Sequence, residues 1–500
     1  MIECDYYLLG CSAIEDQLQD KVPKTINDFI NVGIKVWVLT GDKSDTSLSI
    51  AFASKLITHK FNILDFKNKI SIEELRNSLD DNINRIKTNP KEKFALVVIT
   101  EELEVIMSDE ELTNKVRFIY YKFYELSIKC NSVICCRVSP KQKAQMVQLI
   151  KTRQKHTITL AIGDGANDVN MISTAHLGIG IIGREGLQAA KVSDYAIAQF
   201  YFLRRLLFVH GRECYRKNSF VVIFTFYKNI LVIVPQIAYS FYSLFSAVYL
   251  YDHYLFICFN IIFTTFPIIW FAISDKEFTY RELENEPRYY IQGIKGRKFN
   301  HGRFWKWIFY AIAQGIILLY MFVEINKSFN SSGKTMDIVK IGKIKIKEGS
   351  FTYLSVVLIV NIKIIFYFNS YTGIECLTII LSIISYYCIM IIVSLIPTTA
   401  FYMALFTNIK EINYYLGVFG FTLFVVLIDI GSKYIGLYFG LTKDSKTFAN
   451  EFEMAETNED RTKNIMKDTQ DERLFDNFCI FLFKKILEEL FHKKQGKHLT

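Results

Sequence analysis

The sequence predicts a parallel α/β domain followed by an all-α transmembrane bundle of about six helices. Of the 500 residues, 51% are hydrophobic, with 42 Phe and 29 Tyr, a composition typical of a membrane-embedded protein. The apolar residues are also unevenly placed. Before Phe220 they form short runs between charged stretches, and after it they form long uninterrupted runs. The chain is therefore expected to consist of a soluble half and a membrane half.

Short β-branched runs alternate with amphipathic stretches in the soluble half, and Pro140 to Lys151 is one such stretch. Apolar runs of this length between helices are typical of a parallel sheet that is covered by helices on both faces. In such sheets the functional side chains lie at the carboxyl ends of the strands. The expected strands are Lys35 to Leu39, Phe94 to Thr100, Ser132 to Cys136, Thr157 to Ile162 and Leu177 to Ile182.

A helix needs about 20 apolar residues to cross a hydrocarbon core of ~30 Å, and about six runs approach that length. An even number of spans places the soluble half and the C-terminal tail on the same side of the membrane. The residues after Met1 lack the basic-then-apolar pattern of a signal peptide, so that side is expected to be cytosolic. The expected spans are Phe220 to Tyr249, Leu255 to Ile273, Trp307 to Val323, Phe351 to Phe368, Ile374 to Ile396 and Ile412 to Ile428.

The net charge of +9 comes from basic residues that are spread through the loops and the tail. This distribution favours anionic lipid on the cytosolic face and argues against a nucleic-acid partner. The loop charges give conflicting topologies, because Lys276 to Lys306 is basic as a cytosolic loop should be, yet lysines also crowd the opposite loop between Lys327 and Lys347. The ten cysteines have no metal-ligand spacing, so reduced thiols are expected.

The first polar cluster, Thr40-Gly41-Asp42-Lys43, directly follows a predicted strand. A hydroxyl group and the open backbone N–H of a glycine suit a phosphate oxygen at this position. The alternative is a helix N-cap formed by Thr40 or Asp42.

The second cluster, Gly163 to Asp168, also follows a predicted strand, and its glycines allow a tight turn. Asp164 and Asp168 are four residues apart and can converge on a hard cation such as Mg²⁺. The alternative is an Asx turn with a helix cap. Between the two clusters, Ser139-Pro140 is expected to open a helix, and Lys143 just inside that helix could reach back to the strand edge as a phosphate-binding charge.

Long motifs occur in both halves of the chain. They are Gly10 to Asp16 with Gln19, Ile34 to Lys43, Ile134 to Lys143, Ile162 to Val169, Asp194 to Phe200, Val209 to Arg212, Phe226 to Asn229 and Val360 to Lys363. Together these motifs resemble the type IV P-type ATPases, the lipid flippases. The resemblance covers nearly everything from Leu8 to about Leu441, apart from a divergent stretch from Thr58 to Lys93.

The resemblance implies a haloacid-dehalogenase-like fold in which ATP phosphorylates an aspartate and the phosphoenzyme is later hydrolysed, with ATP and Mg²⁺ as cofactors. It divides the chain into a partial cytosolic phosphorylation domain (1–205), a transmembrane domain (206–441) and a cytosolic tail (442–500). It also implies a phospholipid substrate and a membrane-spanning β-subunit. Carried over by position, the catalytic residues would be Thr40, Asp42, Lys143, Asp164 and Asp168, the ATP or phosphate contacts would be Thr40, Gly41, Asp42, Arg137, Lys143, Asn167 and Asp168, and the Mg²⁺ ligands would be Asp164 and Asp168.

The phosphorylated aspartate of the family lies in a DKTG motif, which this sequence lacks. By the same resemblance, the nucleotide domain, the actuator domain and roughly the first four spans should precede Met1. We therefore expect a part of an ATP-driven phospholipid translocase that is inactive by itself. The alternatives are a non-catalytic, flippase-like module and, in a different class, a cation-transporting ATPase.

Two lysines, Lys228 and Lys363, fall inside predicted spans, where an ionisable residue is costly and indicates function. Snorkelling of the side chain to the interface is the alternative. Between Phe220 and Ile273 the only acid is Asp252, whereas a cation pump should bury carboxylates there. Lysine with amide neighbours suits an anionic or zwitterionic head group. The expected lipid path is Lys228, Asn229, Asn260 and Lys363.

Pro235 and Pro267 are expected to kink or unwind their helices and free carbonyl groups for the same site. The tail is polar from Thr442 to Arg473 and ends in a basic amphipathic stretch, Leu474 to Lys494. This stretch could lie on the inner leaflet, fold back as an autoinhibitory helix, or dock as an ordinary helix.

Overall fold

The structure is a computed structural model, and its described residues form two compact units. One unit runs to His210 and includes Glu284–Arg288, and the other comprises Gly211–Leu283 and the chain from Tyr289 onward. The amino-terminal motif up to Asp16 and the tail from Thr442 lie outside the described residues. The structure describes residues 17–66, 71–107, 114–183, 186–245, 249–329, 338–370, 373–397 and 412–438.

The first unit contains two sheets, and every strand pair within them is parallel, as the sequence predicts. The strands are β1 (Trp37–Leu39), β2 (Phe61–Leu64), β3 (Lys93–Ile99), β4 (Ser132–Cys136), β5 (Leu160–Gly163), β6 (Leu177–Ile181) and β7 (Tyr195–Ile197). The first sheet has the order β1-β4-β3-β2 and the second has the order β5-β6-β7. Among the described strands, β1, β2, β5 and β7 therefore have one hydrogen-bonded neighbour each, and the structure has two sheets where the sequence predicts one.

Helices cover both faces of the first sheet. Along β3, Leu96 packs in one apolar cluster with Leu75, and Val97 packs in another with Ile26. This alternation follows from the period of two in a strand and confirms that both faces are buried. The helices of this unit are α1 (Val22–Asn31), α2 (Ser44–Ala53), α3 (Ile72–Thr88), α4 (Thr100–Ile106), α5 (Asn114–Lys129), α6 (Pro140–Arg153), α7 (Val169–Thr174), α8 (Gln188–Val192) and α9 (Phe202–Arg204).

Long apolar helices dominate the second unit. Four stretches of the described chain are long and apolar enough to cross a membrane, namely Phe202–Phe241, His253–Ser274, Ile374–Leu395 and Tyr415–Ser432. The helices are α10 (Arg212–Tyr242), α11 (His253–Cys258), α12 (Thr265–Ser274), α13 (Tyr280–Asn285), α14 (Ile291–Ile294), α15 (His301–Phe329), α16 (Ile338–Ile365), α17 (Ile374–Leu395) and α18 (Ile412–Tyr438).

The four candidate spans correspond to the first, second, fifth and sixth predicted runs, so the described residues confirm four of the six expected spans. The first run was expected to continue to Tyr249, but α10 ends at Tyr242. The predicted run from Trp307 lies in α15, and the run from Phe351 is mostly within the shorter apolar helical stretch Gly349–Ile365.

Helices α10 and α15 pack closely against each other at Gly315. A Cβ at Gly315 of α15 would lie 2.8 Å from the Val234 Cβ and 3.3 Å from the Pro235 Cδ of α10. Only a glycine lets the two helices approach this closely. Pro235 lies inside α10, which continues past it to Tyr242 and is not unwound there, and the expected kink stays a prediction.

The cysteines are unpaired throughout the part of the chain that the structure describes, as expected for reduced thiols. In the first unit, burial raises the pKa of the Cys130 thiol to about 12 and also raises the pKa of Cys135. Both thiols therefore stay protonated at neutral pH and have a structural role in the core.

Candidate functional site

The loops after β1 and β4 are joined by backbone hydrogen bonds at the carboxyl end of the first sheet. Arg137 N donates to Asp42 O at 2.9 Å, and Val138 N donates to Thr40 O at 3.0 Å. Within the first loop, Thr40 Oγ1 donates to Asp42 Oδ2 at 2.7 Å and accepts from Asp42 N at 3.1 Å. Neither residue caps a helix, because α2 begins at Ser44 without a side-chain capping bond. The N-cap interpretation of this cluster is therefore wrong.

The chain turns sharply at Arg137, whose φ of 54° lies in the left-handed region. Non-glycine residues rarely adopt this conformation, and where they do it often marks a functional turn. The Arg137 side chain is exposed. Helix α6 then begins at Pro140, with the Ser139 side chain accepting from Gln142 N in a capping box, as Ser-Pro predicts.

Lys143 lies in the first turn of α6 and links the loop after β4 to the loop after β5. Its side chain is buried, and its Nζ donates to Asp168 Oδ1 at 2.8 Å. Asp168 ends a short 3₁₀ helix, Ala166–Asp168, directly after β5. The segment from Arg137 to Lys143 thus contacts both polar clusters that the sequence indicates.

Gly163 is required by the close approach of Asp168. A Cβ at this position would lie 2.4 Å from the Asp168 Cβ and 2.6 Å from its Cγ. The Asp168 side chain therefore packs against the bare Cα of Gly163, and this packing holds the carboxylate where Lys143 reaches it.

Gly163→Ala is expected to displace Asp168 and break its ion pair with Lys143. Relieving the overlap requires the loop to move, which costs about 1–3 kcal/mol of unfolding free energy. The measurement is the thermal unfolding of the purified chain in detergent. Gly165→Ala is the matched control, because its added Cβ would meet nothing closer than 3.9 Å. Equal melting temperatures for the two variants would contradict the close approach.

Asp164 and Asn167 are exposed beside Asp168, and no side-chain capping bond is made at the start of the 3₁₀ helix or of α7. The helix-cap interpretation of this cluster is therefore wrong. The described residues contain no group of three or more His, Cys, Asp or Glu side chains that could hold a metal. Two carboxylates nevertheless fit Mg²⁺, which commonly takes one or two protein carboxylates and completes its coordination with phosphate and water.

A second polar site lies among the apolar helices. Lys228 on α10 is 4% exposed, and its Nζ donates to Thr264 Oγ1 at 2.7 Å. Thr264 separates a π-helical turn, Phe259–Phe263, from α12 and has a non-helical φ of −129°. Its hydroxyl donates to Phe259 O at 2.7 Å, so one threonine donates to a carbonyl of the π-helical turn and accepts from the lysine.

The carbonyl of Phe263, the last residue of the π-helical turn, accepts from side chains of neighbouring helices. Asn361 Nδ2 on α16 donates to it at 3.1 Å, and Ser382 Oγ on α17 also donates to it. Asn361 Nδ2 lies 2.9 Å from Ser382 Oγ as well. Side chains from two other helices thus hydrogen-bond to the backbone where this helix is interrupted, which explains why the interruption can persist in an apolar bundle.

The comparisons with known proteins decide the family. Residues 190–440 match the family described as phospholipid-translocating P-type ATPase C-terminal. The chain belongs to this family of P-type ATPases. It is 38% identical over 352 residues to human phospholipid-transporting ATPase IH, covering 67% of this chain and 31% of the relative.

Two further relatives come from a yeast and from a plant. Phospholipid-transporting ATPase DRS2 of Saccharomyces cerevisiae is 37% identical over 334 residues, covering 64% of this chain and 24% of the relative. Probable phospholipid-transporting ATPase 12 of Arabidopsis thaliana is 34% identical over 454 residues, covering 85% of this chain and 36% of the relative. The chain therefore spans about a quarter to a third of the length of these relatives.

The four residues that are expected to form the lipid path of this P-type ATPase differ in burial and in hydrogen-bond partners. Lys228 binds Thr264, Asn229 has a buried Oδ1 without a described partner, and Asn260 is exposed. Lys363 is 3% exposed and lies 3.0 Å from Asp429 Oδ2. No hydrogen bond joins these four side chains to one another in the described part of the chain. Neither lysine snorkels, because both ammonium groups are buried.

Sequence reasoning missed an ion-pair network near the start of α10 and the end of α12. Arg216 Nη1 contacts Asp275 Oδ2 at 2.6 Å, and Arg216 Nη2 contacts Glu213 Oε2 at 2.7 Å. Asp275 also accepts from the backbone N–H groups of Asn369 at 2.7 Å and Ser370 at 3.2 Å. The signal in the sequence was weak, because charges at the ends of apolar runs are ordinary.

Proposed function

We propose that this chain is the C-terminal part of an ATP-driven phospholipid translocase that cycles through an aspartyl phosphate and moves phospholipid towards the cytosolic leaflet. The observation that carries the proposal is the segment from Arg137 to Lys143. It hydrogen-bonds the Thr40 loop at one end and pairs with Asp168 at the other. The proposed site thus combines a hydroxyl group, a backbone turn, a lysine and two carboxylates. Phosphoryl transfer requires such groups, because they position the phosphoryl group and neutralise its charge.

In the proposed cycle, an aspartate carboxylate attacks the γ-phosphorus of ATP, the bond to the β–γ bridging oxygen breaks, and ADP leaves. Water later attacks the phosphorus, the bond between phosphorus and the aspartate oxygen breaks, and inorganic phosphate leaves with the aspartate carboxylate restored. We propose that the aspartate comes from the part of the relatives that this chain does not cover. The single hydrogen-bonded neighbour of β1 and of β5 supports this, because a parallel strand could pair with either edge in a haloacid-dehalogenase-like sheet.

The residues of this chain would position and neutralise the transferred phosphoryl group. Thr40, Gly41 and Asp42 would contact nucleotide or the phosphorylated side chain, and Arg137, Lys143 and Asn167 would bind phosphate oxygens. Asp164 and Asp168 would hold Mg²⁺, which neutralises phosphate charge and orients it for in-line transfer. Before phosphate arrives, Lys143 keeps the Asp168 carboxylate paired, so the site does not hold an uncompensated buried charge.

On the membrane side, we propose that Lys228, Asn229, Asn260 and Lys363 serve the lipid path. Lys228 can meet a phosphate or carboxylate of a head group, and the buried Asn229 Oδ1 can accept from an ammonium or hydroxyl group. We also propose that the N-terminal and C-terminal regions are cytosolic and that the chain binds a membrane-spanning β-subunit. It also extends to this chain the phospholipid transport named for the relatives.

The test is Asp168→Asn in the complete protein that contains this chain, with its β-subunit, reconstituted in vesicles. The native protein should form an acid-stable phosphoenzyme with labelled ATP and Mg²⁺ and hydrolyse ATP in response to phospholipid. Asp168→Asn should lower turnover by about 100-fold, because an oriented charge in the phosphoryl site is lost.

Asp81→Asn is the matched control, since Asp81 is an exposed acid on α3, a helix that supplies no residue of the candidate site. A native protein that forms no phosphoenzyme would favour the non-catalytic module instead. Turnover that responds to cations and not to lipid would favour a cation-transporting ATPase.

A further inference from the structure

Lys363 occupies an aromatic cage in the second unit, formed by Tyr227 of α10 with Trp307 and Tyr310 of α15. Its Nζ lies 4.0 Å from the Tyr227 ring centroid, 4.3 Å from that of Tyr310 and 5.2 Å from that of Trp307. Asp429 of α18 closes the cage, with its Oδ2 3.0 Å from the same Nζ. The Lys363 ammonium group therefore has its electrostatic partners, three ring faces and one carboxylate, within the protein.

The cage is held by further hydrogen bonds between the same helices. Gln314 Nε2 donates to Asp429 Oδ1 at 2.9 Å, and the Tyr310 hydroxyl donates to the same oxygen. The Tyr227 hydroxyl in turn donates to Gln314 Oε1. Helices α10, α15, α16 and α18 each supply a member, so the polar network fixes four helices with respect to one another.

Two short paths along the chain connect the cage to the Lys228 site. On α10, Tyr227 is the residue directly before Lys228. On α16, Asn361 lies two residues before Lys363 and donates to Phe263 O, and Phe263 directly precedes Thr264. Both partners of the hydrogen bond between Lys228 and Thr264 are therefore adjacent to residues that the cage helices hold in place.

We propose that Lys363 is a positioning residue that acts on the lipid path through the cage and does not itself contact the head group. The cage fixes the rotation of α10 and the position of α16, and these keep Lys228 opposite Thr264. When a binding-competent arrangement is only partly populated, apparent affinity falls in proportion to that fraction. This inference rests on the proposed function, because it assigns Lys363 a role in the same transport path.

The test compares Lys363→Met with the double variant Lys363→Met/Asp429→Asn. The single variant leaves the Asp429 carboxylate buried without its cation, whereas the double variant removes both charges and keeps an amide oxygen that can accept from Gln314 and Tyr310. In the single variant the half-saturating lipid concentration should rise about tenfold while kcat at saturating lipid stays within about twofold. In the double variant the half-saturating lipid concentration should return to within about threefold of the native value.

Each alternative gives a different result. If Lys363 contacts the lipid itself, the double variant will be as impaired as the single one, and the positioning role is wrong. If the cage only supports the fold, Lys363→Met will lower the melting temperature without changing the half-saturating lipid concentration, which also overturns the inference. Lys295→Met, at an exposed position in the loop before α15, is the control for removal of a lysine.

A second variant and a second readout keep the inference separate from the proposed function. If Lys363→Met does not fold, Tyr227→Phe removes only the hydroxyl bond to Gln314, and it should raise the half-saturating lipid concentration about threefold. An unchanged value would overturn the inference. Equilibrium binding of short-chain fluorescent phosphatidylserine and phosphatidylcholine to the chain in detergent follows the same variants without ATP. Native binding without native turnover would reject the proposed function alone, and equal binding by native and variant chains would reject this inference alone.

Discussion

Lys228→Met is expected to lower the lipid-stimulated kcat/KM of the complete ATPase by about 10- to 100-fold, which is the effect of losing one charge-assisted hydrogen bond of about 1.5–3 kcal/mol. Lys228 is buried, and its described hydrogen bond is to the neutral Thr264 hydroxyl. A buried ammonium without a carboxylate partner is costly unless it meets an anion during the cycle. A lipid phosphate would supply that anion.

The measurement is ATP hydrolysis as a function of phospholipid concentration in mixed micelles. Lys276→Met is the matched control, because Lys276 is exposed and its Nζ lies 4.7 Å from the Tyr280 ring centroid. Thr264→Val should give a smaller loss, since the lysine keeps its charge and loses one partner. Lipid stimulation that survives Lys228→Met would contradict the lipid role of this lysine.

Asp275→Ala is expected to destabilise the second unit by about 3–5 kcal/mol, the range for breaking a buried ion pair from one side. Asp275 has no exposed surface, and its carboxylate accepts from Arg216, from Asn369 and from Ser370. Its removal leaves part of the Arg216 guanidinium and two backbone N–H groups without acceptors. Asp275→Asn should cost less, because the amide retains one oxygen as an acceptor.

The stability of these variants is measured by thermal unfolding in detergent, with ligand-free protein at one pH. Glu286→Ala provides the comparison, because Glu286 is an exposed acid in the segment that follows α13. Its melting temperature should equal that of the native chain. A melting temperature of Asp275→Ala close to that of Glu286→Ala would contradict a stabilising role for the network.

The sequence predicts the strands of this fold best where burial is complete. All five residues of β4 are buried, and its bounds, Ser132–Cys136, agree with the prediction. The strands β2 and β7 were not predicted. Two of the four residues of β2 are exposed, as are two of the three in β7, so neither produces a sustained apolar run. Edge strands depend on their neighbours more than on their own pattern.

For the candidate site, local motifs predict positions but not partners. The glycines and acids of the Gly163 loop indicate a tight polar turn, and the structure adds that Asp168 packs on Gly163 and pairs with Lys143. The cage partner Asp429 was not predicted, because the predicted last span ended one residue before it. Contacts between distant helices follow from three-dimensional packing and leave no spacing rule in the sequence.

Pro235 has a mechanical consequence for the helix that carries Lys228. Proline has no backbone N–H, so the carbonyl of Leu231, one turn earlier, receives no bond from it, and α10 has a missing rung between those residues. The helix therefore resists bending least about two turns beyond Lys228, where Gly315 lets α15 pack closely against it. The part of α10 that carries Lys228 can therefore tilt without an equal tilt of the part that follows Pro235.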